Sequence, residues 1–542
     1  MAAPAWRGHS DTETLLAAIA HWGLEQTLRR CTGMFALALW DRERRVLALA
    51  RDRLGEKPLY YGWQGGAFLF GSELKALRAH PAFVGGIDRG ALALLLRYNY
   101  VPAPYSIHPG IRKLPPGTWL ELDAGTRDPA PRAYWSLHEV AERGMAAPFE
   151  GSDAEAVDAL AAALGGAVAG QRVADVPLGA LLSGGIDSTL ITALMQAQSS
   201  EPVRTFTIGF EEKAYDEADH ARAVAAHLGT AHTELRLTAG DARALIPRMP
   251  QVYDEPFADS SQLPTCLVMQ LARRHVTVAL SGDGGDELFG GYNRYLLGPR
   301  VWRRMAPVPA PLRRLAGGLL QALPAHAIDQ GWRRLGTPLG IAQPGAKCHR
   351  IGARLRHVHG LDDLHVELQA EWRDRNPAGE PHPVLLDQRD QWPRLSDPVA
   401  RMMALDALTY LPDDILVKVD RAAMAVSLET RAPFLDHAVV ELAWRLPLAM
   451  KLRGGRGKWI LRQLLERHVP RTLTERPKMG FGIPLDAWLR GPLRGWADDL
   501  LDPARLRRQG LLDPAPVQRV WQAHRRGHGQ YGYRLWSVLM FQ

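Results

Sequence analysis

The residues of this 542-residue chain best suited to chemistry lie in three short strings. The first is Ser183-Gly-Gly-Ile-Asp-Ser188, after an apolar run bounded by Pro177 and before the helical pattern Leu190, Ile191, Leu194, Met195. Strand, small-residue loop and helix N-terminus together make an anion site. Glycine lets the backbone come close, and exposed N–H groups with the helix dipole favour negative charge. No Gly-Lys-Ser/Thr ends the loop, so it is not a Walker P-loop. The second string is Ser281-Gly-Asp-Gly-Gly-Asp-Glu287, with carboxylates at Asp283, Asp286 and Glu287. Such a turn after a buried strand costs stability through entropy and like-charge repulsion, which points to a bound cation. The third is Gly454-Gly-Arg-Gly-Lys458, where a glycine-rich loop carries Lys458 into a helix with Trp459, Ile460, Leu464 and Leu465. Over a phosphate this lysine would be catalytic; otherwise it is solvated. Asp414 and Lys418, four apart, read as a surface ion pair on one helix.

These strings need a scaffold that brings strand ends together. From residue 176 the patterns alternate: strands at 203–208, 233–237 and 276–280, helices at 216–228 and 263–274. Alternation of this kind predicts a parallel sheet flanked by helices, with ligands beyond the carboxyl ends of strands. A helix from Ser152 to Val173 opens this region. Residues 297–400 carry Arg, Pro and Ala with amphipathic stretches and no motif, and a helical part resumes at 401, with one helix from Met402 to Leu411. The first 125 residues differ. Short apolar runs at 34–40, 46–50, 58–61 and 67–70, separated by charged or glycine-containing turns, predict an antiparallel sheet. Helices are expected at 11–22, capped by Ser10 or Asp11, and at 72–79, and the proline-punctuated residues 80–150 bridge the two regions.

Bulk properties narrow the class. Apolar residues make up 46% and charged residues 23%, ordinary for a globular protein of two or more domains. A net charge of +8 over this length suits anionic substrates, and no aromatic–basic interleaving argues for nucleic acid. Cys31, Cys266 and Cys348 lie far apart, so neither a disulfide frame nor a zinc site is indicated, and Cys31 is expected as a buried small apolar residue beside a strand. No signal peptide and no spanning apolar run are seen, and a cytoplasmic enzyme is expected.

Ser183 to Ser188 resembles the pyrophosphate loop of ATP pyrophosphatases. With Ser281 to Tyr292, Leu416-Val-Lys-Val-Asp-Arg421, Leu428 to His437 and Gly457-Lys-Trp459, the chain resembles glutamine-hydrolysing asparagine synthetases. The strings Gly8-His-Ser-Asp-Thr-Glu13, Gly33 to Asp41, Ala50 to Tyr61 and Ser72-Glu-Leu-Lys75 resemble the second half of a class II glutamine amidotransferase domain. The implied fold is a truncated β-rich domain of N-terminal-nucleophile hydrolase type over 1–130. It is followed over 150–542 by a parallel α/β ATP-pyrophosphatase domain: a core to about 296, an insertion to about 400 and a helical C-terminal part. The implied reaction joins a carboxylate to ATP as an acyl-adenylate, which ammonia then converts to an amide. By resemblance, Leu182, Ser183, Gly184, Gly185, Ser188, Ile208, Ser281 and Gly282 bind ATP, and Asp187 and Asp286 hold Mg²⁺. Lys458 and Asp283 are catalytic, and Asp11 is either the remnant of the glutamine site or a helix cap.

Two departures from the family stand out. Many members carry Glu at the position of Asp283, so the acceptor is aspartate or another carboxylate, such as a sugar uronic acid or a β-amino acid closing to a lactam. The chain starts Met1-Ala-Ala rather than with the nucleophilic cysteine whose own amine serves as base. The expected partners are therefore ATP, the acceptor, and glutamine or ammonia, with a homodimer allowed and neither nucleic acid nor membrane. An inactive ATP-binding regulatory protein is the reading of another class. The purified chain is expected to release no ammonia from glutamine in a coupled ammonia assay; release would contradict that expectation.

Overall fold

The computed structural model describes residues 6–210, 218–323, 357–373, 375–475 and 482–542, with isolated positions between 324 and 356. The first 135 residues build two antiparallel sheets rather than the single sheet expected. One has the order β1-β2-β6-β7, from β1 (Ala36–Asp41), β2 (Val46–Arg51), β6 (Thr118–Leu122) and β7 (Arg132–Ala133). The other has the order β4-β3-β5, from β3 (Tyr60–Gln64), β4 (Ala67–Gly71) and β5 (Ile111–Lys113). Leu49, Leu59, Tyr61, Leu114 and Leu120 fill the space between them.

The change of sheet after β2 has a polar cause. The Arg51 guanidinium donates to the carbonyls of Gly55, Lys57 and Leu114, each at 2.8 Å. The buried Asp52 carboxylate accepts from the backbone N–H groups of Phe35, Leu54, Glu56 and Lys57. The chain is wound around these two side chains and leaves toward the second sheet. The segment expected to bridge the domains therefore contributes three strands here. It also supplies a helix, Arg89–Tyr98, capped by Asp88, with Leu92 to Leu96 wholly buried in a core shared with the C-terminal helices.

One smaller expectation narrows and another changes. Ser10, not Asp11, caps the helix Asp11–Trp22 by accepting from Thr12 N–H, and Asp11 is exposed in its first turn. Cys31 is only half-buried and ends the helix Leu24–Arg30, where its carbonyl accepts from Arg53.

The second region is built on a five-stranded sheet, wholly parallel, in the order β10-β9-β8-β11-β12. Its strands are β8 (Leu178–Leu181), β9 (Arg204–Phe210), β10 (Ala231–Leu237), β11 (Val278–Leu280) and β12 (Glu429–Arg431). Winding outward from β8 through β9 to β10, and from β11 to β12 the other way, puts a topological switch point between β8 and β11, where open α/β sheets bind ligands. The helices Ile186–Ala197, Ala218–Leu228 and Gln262–Arg273 lie between strands as expected, and Asp216 of the second falls outside the described residues. The helix Asp153–Gln171 starts with a capping box between Ser152 and Glu155. Within 297–400 the described residues hold the end of the helix Asn293–Met305, then helices Ala310–Ala322 and Leu361–Gln369. The expected helix at 402–411 is instead Pro398–Leu408; a π-turn, Leu411–Ile415, then leads into the helix Leu416–Met424. Among the described residues no helix is long and apolar enough to cross a membrane.

The two regions are joined through buried charge. Lys57 Nζ meets Asp420 at 2.8 Å, Lys113 meets Glu255 at 2.7 Å, and Arg421 donates to the Ser72 carbonyl at 2.5 Å. Arg421→Ala removes a buried charge-assisted hydrogen bond and is expected to lower the free energy of urea unfolding by about 2–3 kcal/mol. An unchanged unfolding midpoint would contradict that role.

Candidate active site

The loops after β8 and β11 meet across the switch point and line a cavity of about 770 Å³. In the first loop, Ser183 N–H donates to Ser188 Oγ at 3.1 Å, the two hydroxyls are 2.9 Å apart, and Gly185 N–H donates to Ser183 Oγ at 3.2 Å. The loop is thus folded on its own hydroxyls. Gly184, at φ +72°, is pressed against the helix Ala218–Leu228: a Cβ there would lie 2.9 Å from Ala221 N. It shapes the loop and is not among the residues lining the cavity. The second loop lies directly on the first, since a Cβ at Gly282 would come within 2.7 Å of Ser188 N.

Lys458 closes the site from the third string. It caps the helix Trp459–Leu465 in a left-handed conformation, φ +59°, uncommon for a residue with a Cβ. The side chain is 7% exposed rather than solvated. Its ammonium lies 2.5 Å from Asp286 Oδ1 and also bonds Asp187 Oδ2. Burial alone would lower its pKa, but the two carboxylates outweigh burial and hold the lysine protonated. Three segments far apart in the chain therefore share one charge cluster. Gly291 permits it: a Cβ there would stand 1.8 Å from Asp286 Oδ1 and 2.2 Å from Lys458 Cε.

Leu182, Ile208, Ser281 and Gly282 border the same cavity, and so does Asp283. Burial raises the Asp283 carboxyl above the usual range, although Ser281 Oγ donates to it at 2.7 Å. Asp11 is not among the lining residues. All the residues expected at the nucleotide site except Gly184 thus converge on one cavity.

The surface pair expected between Asp414 and Lys418 is not a surface pair. Asp414 is buried, and Lys418 reaches into the cavity to bond Asp259 Oδ2 at 2.9 Å. Glu287 and Tyr292 also line the cavity, joined at 2.5 Å, with burial and Asp286 pushing the Glu287 carboxyl up to about 7. No motif marked Asp259, because its partner is contributed by a helix about 160 residues further along the chain.

A family model described as asparagine synthase matches residues 159–542. The chain belongs to that family. A glutamine amidotransferase domain model matches residues 1–135. A Mycobacterium tuberculosis relative named "Putative asparagine synthetase (glutamine-hydrolyzing)" is 38% identical over 540 residues, covering 98% of this chain and 79% of the relative. Asparagine synthetase (glutamine-hydrolyzing) 1 of Bacillus subtilis is 30% identical over 98% of this chain and 80% of its own length. The amidase chry2 of Gibberella zeae is 26% identical over 95% and 78%. As a member of the family, the chain is an enzyme, an asparagine synthetase-like ligase that uses ATP. Gly291→Ala must push Asp286 and Lys458 apart, and an ångström of misplacement costs on the order of 100-fold in rate. ATP-dependent turnover is expected to fall by that factor with the melting temperature nearly kept; full activity would show that the cluster tolerates the displacement.

Proposed function

We propose that the enzyme adenylates the side-chain carboxylate of L-aspartate with ATP and passes the acyl group to ammonia, giving asparagine, AMP and pyrophosphate. The nitrogen comes from glutamine through the amidotransferase region or from free ammonia. The observation that carries this reading is the single ammonium of Lys458 shared by Asp187 and Asp286 at the mouth of the serine-rich loop.

In this reading the parallel sheet is an ATP-pyrophosphatase core, and the two antiparallel sheets belong to an N-terminal-nucleophile amidotransferase fold. Ser183, Gly185 and Ser188 cradle the pyrophosphate, and Leu182, Ile208, Ser281 and Gly282 hold the adenosine. Among the described residues no group of three or more His, Cys, Asp or Glu converges as a metal cage. Two carboxylates are nonetheless what Mg²⁺ takes when phosphate oxygens and water complete its shell, and the Lys458 ammonium shows that both reach a single cationic point. Asp187 and Asp286 would hold Mg²⁺, which would neutralise phosphate charge when bound.

The acceptor carboxylate attacks the α-phosphorus, the bond to the bridging oxygen breaks, and pyrophosphate leaves. Both reactants are anions, so positive charge fixed at the reacting centre lowers the barrier, and Lys458 provides it. Ammonia then adds to the acyl carbon and AMP departs. The nitrogen must lose a proton on the way to an amide, and Asp283, whose affinity for a proton burial raises, is suited to take it.

Lys458→Ala is expected to abolish aspartate-dependent ATP–pyrophosphate exchange, a loss of at least ~1,000-fold for a charge at the reacting centre. Asp283→Asn is expected to keep exchange but lose steady-state pyrophosphate release. Wild-type turnover in either variant contradicts its assigned role.

A further inference from the structure

The cavity has two cationic poles. One is Lys458 among Asp187 and Asp286. The other is Lys418, whose side chain is 12% exposed and whose partner Asp259 is 17% exposed, both lining the cavity. An ion pair this far from water is costly to keep unless geometry or function repays it. Its members are unequally occupied. Asp259 accepts from Ser261 N–H and Oγ on one oxygen, each at 2.8 Å, and from Lys418 on the other. Burial, followed by the nearby Asp259 charge, pushes the Asp414 carboxyl well above the usual range. Asp259 is therefore a holder, fully engaged. An ammonium has three donors, and Asp259 takes one.

Lys418 is also rigidly aimed. It sits on the helix Leu416–Met424, which Lys57 and Ser72 pin to the first region through Asp420 and Arg421. Asp283 lines the same cavity as both poles.

We propose that Lys418 binds a second, non-reacting carboxylate of the acceptor and makes the enzyme select dicarboxylates over monocarboxylates. The inference rests on the ligase reading above and deepens it. The reacting carboxylate needs free lone pairs to attack phosphorus, and an ammonium hydrogen-bonded to it blunts that attack; the group Lys418 holds is thus the other one. Asp259 positions the ammonium and does not touch the acceptor. A uronic acid, with one carboxylate, leaves Lys418 unmatched.

The test is ATP–pyrophosphate exchange over matched pairs that differ by one carboxylate: aspartate and β-alanine, glutamate and 4-aminobutanoate, glucarate and glucuronate. The wild-type enzyme is expected to prefer the dicarboxylate of its pair by at least ~100-fold, the scale set by a buried polar group left unmatched. Lys418→Met is expected to bring that preference within about fivefold, through the acceptor KM with the ATP KM unchanged, and Lys418→Arg to restore most of it. Should Lys418→Met fail to fold, Asp259→Asn must erode the same preference. A wild-type preference for the monocarboxylate, an intact preference in the folded variants, or equal rises in both KM values would overturn the proposal. Absence of exchange with every carboxylate would instead overturn the ligase reading.

Discussion

The attraction of Asp187 and Asp286 for one ammonium is the constraint around which the site is arranged. Two carboxylates held this close repel each other, and the cluster persists only because Lys458 lies between them or a divalent cation relieves them. The sheet order serves that end. It places the loops after β8 and β11 side by side, so that Asp187 and Asp286 come from neighbouring strand ends and not from one continuous turn. Glycines remove the side chains that would keep the segments apart. At Gly291 a single methyl group would fall within bonding distance of Asp286. Strain is accepted for the same reason, with Lys458 held in a left-handed conformation to turn its chain inward.

The π-turn at Leu411–Ile415 and the helix that follows connect this cluster to the rest of the molecule. Their charged residues face two ways. Asp413 accepts from Ala103 N–H and Asp420 meets Lys57 on the side of the antiparallel sheets, while Lys418 meets Asp259 on the side of the cavity. One short element is thus wall to both regions. The motif strings of the first region, Ala50 to Tyr61 and Ser72 to Lys75, work in part as its contact surface: Lys57 and the Ser72 carbonyl hold this helix.

Much of the scaffold was legible because buried parallel strands read as short apolar runs broken by helical periods, which is why β8, β9, β10 and β11 could be found. The three-residue strand Glu429–Arg431 was not, since all three residues are polar and only pairing with β11 makes it a strand. The site strings were readable because glycine and acid at strand ends have few other uses. Lys418 was misread for the opposite reason. Spacing four apart on a helix says which side chains are neighbours, but not which side faces water, and the partner that decides it is distant in sequence. Gly184 has the conformation its glycine predicted, φ +72°, and packs against a helix backbone that no sequence pattern announced. Nothing in the pattern of charges at Arg51 and Asp52 announces that both would turn inward and split the expected sheet in two.

The central claim is that a carboxylate oxygen becomes bonded to the α-phosphorus of ATP in this cavity. Aspartate labelled with ¹⁸O in its side-chain carboxylate tests it most directly, by mass spectrometry of the nucleotide and phosphate products after turnover with ammonia. The account predicts one ¹⁸O in the phosphate of AMP and none in pyrophosphate. Label in orthophosphate with ADP as the nucleotide product, or unlabelled AMP, would contradict it.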